Sequence, residues 1–196
     1  MELVEAAKSS GFVRKEHARG LISQLKLPHF GWIISDPSQR EQRLQGDVFK
    51  NLPIALIGPD GSCKSARLTA MVVNNACDLQ EDRSQFVTVV PLQSFTSFSQ
   101  FQDSAFETTF QKDDFLHSVV NNKVTEFLYL PAGPQLSEAT VVLLNRLSTL
   151  SSEVYEASLL SGDRVASLTQ NGFYLLLMRM GNYLLRPESS DVIRDA

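Results

Sequence analysis

Three segments decide the fold of this chain: GDVF at residues 46–49, AMVVNNACDL at 70–79 and FVTVVPLQS at 86–94. Each is a β-rich run interrupted by or bordering on Asn, Asp, Gly or Pro, a pattern typical of short strands in a small antiparallel barrel. Asp60-Gly61 lies between two apolar runs and predicts a hairpin turn. We therefore predict a strongly bent antiparallel sheet over residues 46–130. Its expected core comprises Val48, Leu56, Met71, Val73, Val87 and Val89.

The order of these segments resembles that of the MazF/PemK family, small barrel proteins that are the toxin halves of bacterial toxin–antitoxin pairs. Members open with a Gly-Asp-Ile/Val strand, continue with a basic residue that leads into an Ala-Val-Val-Leu-Ser strand, and later end a strand with Val-Pro-x-Thr/Ser. GDVF at 46–49, Arg67 ahead of AMVVN at 70–74, and VPLQS at 90–94 hold these places in the same order. The resemblance covers residues 46–94 and implies a small SH3-like antiparallel β-barrel.

The resemblance also implies which residues would carry a reaction. In the toxic members, which are ribonucleases, the basic residue and the Thr/Ser stabilise and activate the scissile phosphate; Arg67 and Ser94 match them by position. Two departures are visible, since Leu68 follows Arg67 where many toxins have proline, and Gln93 stands where they have threonine. The candidate substrate-binding residues on the same segments are Gln93, Asn74, Asn75 and Asp78.

Two functional hypotheses follow from the barrel. The altered catalytic positions, the acidic balance and the added helices favour a protein-interaction module without conventional catalysis, in a bacterial or phage-related toxin–antitoxin or defence-type assembly. Its partner would be an antitoxin-like protein or an assembly subunit, and self-association as a homodimer stays open. The alternative is an RNA-directed endoribonuclease or RNA binder that uses Arg67 and Ser94.

A further alternative comes from IALIGPDGSCKS at residues 54–65, which is nearly a strand followed by a phosphate loop. In that alternative Lys64 would reach phosphate oxygens and Ser65 would hold Mg²⁺, as in thymidylate-kinase-type nucleotide kinases, which this segment resembles. Cys63 replaces the glycine before the lysine, and a β-branched run follows where a helix should begin. These features favour a hairpin turn over a nucleotide site.

Composition limits the remaining choices. The chain has 196 residues, 43% of them hydrophobic and 20% charged, which suits one sizeable core. A net charge of −4 argues against a broad basic surface for duplex nucleic acid. Two cysteines, Cys63 and Cys77, are too few for a disulfide framework and lack zinc-site spacing, so we expect no metal and no cofactor. No secretory signal or membrane-spanning run is visible, which predicts a cytoplasmic protein without membrane contact.

We divide the chain into an N-terminal helical extension at 1–45, with a linker at 39–45, and a barrel domain at 46–196. The barrel domain carries a Phe-rich insertion at about 93–122, whose rings we expect to pack on the barrel, base stacking being the alternative. Beyond it we predict a helix at 110–120, strands at 124–130, 140–150 and 164–168, and a final helix capped by Thr169.

Overall fold

The computed structural model describes residues 34–36, 42–58, 60–81 and 83–184. The helices expected in the N-terminal extension, residues 39–41 of the linker expected at 39–45 and the chain after Leu184 lie outside the described residues. The domain boundary predicted at residue 45 therefore stays a prediction.

Eight strands and four helices make up the described chain, so the fold class is α+β, as expected. In chain order the elements are β1 (Ile34–Ser35), β2 (Val48–Ile57), β3 (Cys63–Val72), β4 (Phe86–Ser94), α1 (Phe95–Phe101), a 3₁₀ turn (Gln102–Ser104), α2 (Thr109–Val120), β5 (Phe127–Leu130), β6 (Thr140–Leu143), β7 (Ser148–Ser151), α3 (Ser152–Leu160), β8 (Arg164–Leu168) and α4 (Gln170–Leu184).

The strands form one antiparallel sheet in the order β1-β8-β2-β3-β4-β6-β5. β4 is its centre: β3 pairs with one edge of β4, while β7 and then β6 pair with the other edge. The described strands do not close into a barrel by hydrogen bonding.

The sheet is nevertheless strongly curled over β2, β3, β4 and β7. Some Cα atoms of β2 and β7 approach within 8 Å, although β3 and β4 separate these strands in the sheet. In a flat sheet three strand spacings would hold them about 14 Å apart. The pairing register shifts between Phe49 and Leu52, where Asn51 has a φ of 59°, and such a bulge bends a strand locally.

Apolar side chains are buried on both faces of the sheet. One face lies under α4 and forms the α4 core, with Val48, Met71, Val90, Leu128 and Leu176 among its members. The opposite face carries two cores. The α3 core includes Phe49, Val72, Val89 and Tyr155, and the α1–α2 core includes Phe98, Val141 and, half-buried, Phe127.

Burial on both faces explains why Ala70, Met71 and Val72 are consecutive and all 0% exposed. Strands covered on both sides read as continuous apolar runs rather than as alternating ones. Val48, Met71, Val73, Val87 and Val89 are buried, which confirms five of the six predicted core residues. The side chain of the sixth, Leu56, lies outside the described residues.

The Gly-Asp motif has a structural role at the junction of β2 and β8. Gly46 has a φ of +93°, and a Cβ placed there would lie 2.6 Å from Leu168 Cδ1, so only glycine fits. Asp47 is fully buried and accepts hydrogen bonds from Ser167 Oγ at 2.6 Å and from Arg164 Nη1 at 3.1 Å. The motif therefore fastens the start of β2 to the last strand.

The elements predicted after β4 are largely present. The helix predicted at 110–120 is α2, the strand predicted at 164–168 is β8, and Thr169 Oγ1 caps α4 by accepting the Gly172 N–H at 3.1 Å. The single strand predicted at 140–150 is wrong, because a turn divides it into β6 and β7. Helix α3 was not predicted.

Candidate binding groove and open strand edge

The half of β3 nearest the hairpin has an open edge. β3 pairs with β2 from Cys63, opposite Ile57, to Met71, opposite Val48. On its other edge β4 covers only residues 70–72. The described strands therefore leave that edge uncovered over residues 63–69.

The phase of the hydrogen bonds shows which backbone groups face this edge. Gly58 N–H donates to the Ser62 carbonyl at 2.8 Å, and alternate residues of an antiparallel strand bond to the same neighbour. Even-numbered residues of β3 therefore bond to β2. The N–H and C=O groups that point outward belong to Cys63, Ser65 and Arg67.

The two prolines of the sheet agree with this phase. Pro53 stands opposite Arg67, and Pro91 stands opposite Ala70. Proline has no N–H, so it fits only where the facing pair needs no hydrogen bond from it. Because Gly58 and Ser62 form a hydrogen-bonded pair, the alternation along β3 makes both proline positions pairs that need no hydrogen bond from the proline.

A groove of about 390 Å³ lies next to the open edge, on the face that carries the α3 core and the α1–α2 core. Its lining is mainly apolar, with amides and one guanidinium as the polar groups. We call it the β3–β4 groove; it is lined by Leu68, Pro91, Leu92, Gln93, Phe98, Phe101, Gln102, Phe127, Leu143, Asn145 and Arg146.

An exposed aromatic ring and an exposed cation both line this groove. Phe101 is 68% exposed, so the expectation that it packs is wrong, whereas Phe98 is 2% exposed and packs as expected. Arg146 is exposed and forms no ion pair with a described residue. Arg146 lies in the turn between β6 and β7 and lines the groove from there. At this turn the partner of β4 changes from β6 to β7, the pairing register shifts, and the residues between the two strands do not pair with β4.

Gln93 and Ser94 lie on opposite faces of β4, as neighbours on a strand do. Gln93 lines the β3–β4 groove, whereas Ser94 lines a separate cavity of about 250 Å³ with Lys50 and Thr69. The Ser94 hydroxyl caps α1, since it accepts the Ser97 N–H at 3.2 Å. Its oxygen is therefore already engaged in a structural hydrogen bond.

No described hydrogen bond joins Arg67 to Ser94. Its Nη1 donates to the Asn51 carbonyl at 2.9 Å, across the bulge of β2. The register of β3 with β4, if continued, would bring Arg67 opposite Ser94, but the ladder ends at Ala70 and Pro91. The two expected catalytic residues are thus on adjacent strands without a shared site.

The three loop residues expected to bind substrate have local roles or stand elsewhere. Asn74 Oδ1 accepts the N–H of Thr88, and Asn75 Oδ1 accepts the N–H of Cys77 at 3.0 Å, so both shape the β3–β4 loop. Asp78 is exposed and lines a different cavity, beside the start of α3. The structure does not bring these residues to Arg67 or Gln93.

Lys64 and Ser65 are exposed on β3, directly after the hairpin. A phosphate loop requires a helix that begins at this lysine, so that helical N–H groups surround the phosphates. Here β2 and β3 are antiparallel strands, and Gly61 has the positive φ, +78°, of a turn glycine. The predicted hairpin is confirmed, and the phosphate-loop alternative is wrong in its geometry.

Within the described ranges, no group of three or more His, Cys, Asp or Glu side chains could hold a metal ion. None of the helices there is long and apolar enough to cross a bilayer. No protein-family model matches the sequence, and the search of curated proteins gives no significant match.

Sequence reasoning missed Arg146 and the open edge for different reasons. Arg146 is far from the Phe-rich segment in sequence, and only the turn between β6 and β7 brings it there. The open edge, in contrast, is indicated by charged residues in the sequence of β3. Lys64 and Arg67 interrupt an otherwise β-forming run, as charges on an unpaired strand edge do.

Proposed function

We propose that this protein is a diverged MazF/PemK-like barrel protein that works as a protein-interaction module, binding an extended acidic segment of a partner along the open edge of β3. The partner in this proposal is an antitoxin-like protein or another subunit of a bacterial or phage-related defence-type assembly. The open edge carries the proposal: outward backbone groups at Cys63, Ser65 and Arg67 lie beside an apolar groove. An added strand would satisfy those groups and place alternate side chains in the groove.

The barrel part of the proposal rests on the curl of β2, β3, β4 and β7. The close approach of β2 and β7 is what a nearly closed SH3-like barrel requires. The three family-like segments lie at the start of β2, on β3 and on β4, and the last two pair antiparallel. In this proposal α3 fills the curled sheet with Tyr155 where further strands would otherwise close it.

The positive charges on β3 and in the groove favour an acidic partner. Lys64 and Arg67 flank the outward group of Ser65, and Arg146 is the one charged residue among the groove lining. Charged edges discourage pairing between identical copies. Lys64 and Arg67 point to opposite faces of β3, and Leu68 of the groove lies on the face of Lys64. A segment that alternates carboxylates with apolar side chains can therefore lay its apolar side chains on the groove floor and place its carboxylates on the face of Arg67.

A direct test uses two fluorescein-labelled eight-residue peptides, one alternating Glu and Val and the other alternating Lys and Val. In fluorescence anisotropy the acidic peptide should bind saturably and the basic one should not. Ser65→Pro removes an outward N–H and should abolish binding, whereas the matched variant Ser65→Ala should keep it. Equal binding by Ser65→Pro, or no binding by either peptide, would reject the interaction site.

RNA binding is the second candidate, and the presence of both Phe101 and Arg146 in the lining of the β3–β4 groove favours it. An exposed ring can stack a base, worth about 1–3 kcal/mol, and a neighbouring guanidinium can hold its phosphate. A labelled single-stranded oligoribonucleotide should then lose affinity with Phe101→Ala and Arg146→Ala. Phe110→Ala and Arg83→Ala, exposed residues of the same types outside the groove, are the controls.

Catalysis by the family route has its own test. Growth arrest upon expression that Arg67→Ala abolishes would indicate a ribonuclease. Because Arg67 bonds to the Asn51 carbonyl, Arg67→Ala must also be shown to leave the melting temperature unchanged. No growth arrest, with the peptide binding intact, would support the interaction module.

A further inference from the structure

The point where β4 leaves β3 is bordered by a cavity on each face of the sheet. The β3–β4 groove lies on one face, and the cavity of about 250 Å³ between Thr69 and Ser94 lies on the other. Leu92 lines both. We call the second one the Lys50 cavity. A strand added to β3 would have alternate side chains in the groove and the remaining ones on the face of the Lys50 cavity.

A bulge in β2 places Lys50 at this cavity. The register shift in β2 leaves Lys50 and Asn51 together opposite Thr69. Such a bulge re-aims the side chains that it carries. The Lys50 N–H donates to the Asp163 carbonyl at 3.0 Å, which holds the bulge against the loop before β8. The backbone therefore fixes where the Lys50 side chain leaves β2, beside the open edge of β3.

The polar groups of the Lys50 cavity are mainly donors without an internal acceptor. Lys50 is exposed and forms no ion pair within the described ranges. The hydroxyls of Thr69 and Ser137 make no hydrogen bond to another described residue. Glu138 is the one carboxylate of the lining, and no ion pair joins it to Lys50. An ammonium group and two hydroxyls are thus available to a carboxylate from outside.

Arg67 adds a second positive charge on the same face. The side chains of Arg67 and Thr69 point to the same side of β3, about 7 Å apart along the strand. Arg67 Nη1 donates to the Asn51 carbonyl at 2.9 Å, so the guanidinium is held at the bulge that carries Lys50. The two cations therefore border the same stretch of the open edge.

We propose that the Lys50 cavity is the specificity site of the open edge and receives one carboxylate side chain, from the partner residue that stands opposite Arg67. This inference rests on the proposed binding of an acidic segment to β3. Directly opposite residues place their side chains on the same face of a sheet, so this carboxylate lies between Arg67 and Lys50.

The carboxylate also fixes the register of the added strand. The partner residues on either side of it point into the β3–β4 groove and are apolar. A slip by one residue would place the carboxylate over the apolar groove and the apolar side chains against Lys50 and Arg67. The Lys50 cavity therefore selects one alignment among those that the backbone hydrogen bonds allow.

Zero-length cross-linking of the full chain with the acidic Glu–Val peptide tests this contact. A carbodiimide joins a carboxylate to a lysine amine only where the two groups touch, and mass spectrometry identifies the lysine. Lys50 should be the main site, ahead of Lys64 on the opposite face of β3 and of Lys123, which is exposed and lines neither cavity. A main product at Lys64, or a yield at Lys50 no higher than at Lys123, would overturn the proposal.

Lys50→Gln separates the cavity from the open edge itself. In fluorescence anisotropy this variant should weaken the acidic peptide by about two- to fivefold, the range of one partly exposed ion pair. Lys123→Gln, the same charge change elsewhere, should leave the affinity unchanged, and both variants should melt at the temperature of the parent.

The two proposals fail in different ways. If the acidic peptide does not bind, or binds Ser65→Pro equally well, the proposed function is rejected and this inference with it. If binding is lost in Ser65→Pro but Lys50→Gln and Lys123→Gln have the same affinity, only the role of the Lys50 cavity is overturned.

Discussion

The two halves of β3 differ although they belong to one strand. Residues 70–72 are buried on both faces and paired on both edges, whereas residues 63–65 and Arg67 are exposed and paired only with β2. The buried half is fixed by packing and tolerates little change. The half near the hairpin has spare backbone hydrogen bonds and accessible side chains, so it can take a partner without disturbing the core.

The largest effect should come from the buried half. Met71→Ala removes a fully buried side chain from the α4 core and should lower the free energy of unfolding by about 2–5 kcal/mol. Ser65→Ala, on the exposed half, should change it by less than about 0.5 kcal/mol. Urea unfolding followed by circular dichroism measures the free energy of unfolding of both variants. Similar losses would contradict the claim that the two halves of β3 differ in their contribution to stability.

Helix α4 also buries a charged side chain, which should lower the stability of the fold. Arg179 is 2% exposed, and its Nε and Nη2 atoms have no hydrogen-bond partner among the described residues. Burial lowers its pKa from 12.5 to about 10. Arg179→Met should therefore stabilise the protein by about 1–4 kcal/mol in urea unfolding at neutral pH.

The pH dependence of that gain has a definite sign. Arg179 is protonated in both folded and unfolded states below about pH 10, so the desolvation cost is constant there. Above about pH 10 the folded state loses the proton first, and the cost declines. The gain from Arg179→Met should shrink as the pH rises past that point, and a loss of stability at neutral pH would mean that the guanidinium has a partner.

A smaller effect separates the two edges of β3. Ala66→Pro removes an N–H that donates to β2 and should cost about 1 kcal/mol or more. Ser65→Pro removes an N–H that faces the open edge and should cost less. Thermal melts of the two variants test the assigned phase directly, and the opposite ranking would show that it is shifted by one residue.

The smallest effect needs no substitution. Amide protons of Lys64, Ala66 and Leu68 should exchange slowly, while those of Cys63, Ser65 and Arg67 should exchange fast, because only the first set is hydrogen-bonded to β2. Addition of the acidic peptide should slow exchange at Ser65 and Arg67. Uniform protection along β3 without peptide would mean that the edge is covered.

The sequence predicted the strands well where a turn residue and a β-branched run coincide. β8 and the hairpin around Gly61 are examples. Helix α3 escaped prediction because its nine residues give too few turns for a clear periodicity. Its ends were nevertheless marked, by the capping hydroxyl of Ser151 and by Gly162 with a φ of +74°.

The candidate site was harder to predict because the resemblance fixed residue types and not their faces. Gln93 and Ser94 are adjacent in sequence, yet one lines the groove and the other caps α1. The buried face of α4 shows the same dependence, since Leu175, Leu176 and Met178 are buried while Leu177 is only half-buried. Such details depend on which elements cover each face.

The link between Asp47 and Arg164 has a consequence for how the chain folds. These residues are 117 positions apart, and they join the first long strand to the last one. Contacts of such separation form late, because a long loop must close before they contribute. During synthesis the α4 core stays open until β8 and α4 have emerged, so a chain arrested before residue 164 would expose apolar surface to chaperones and proteases.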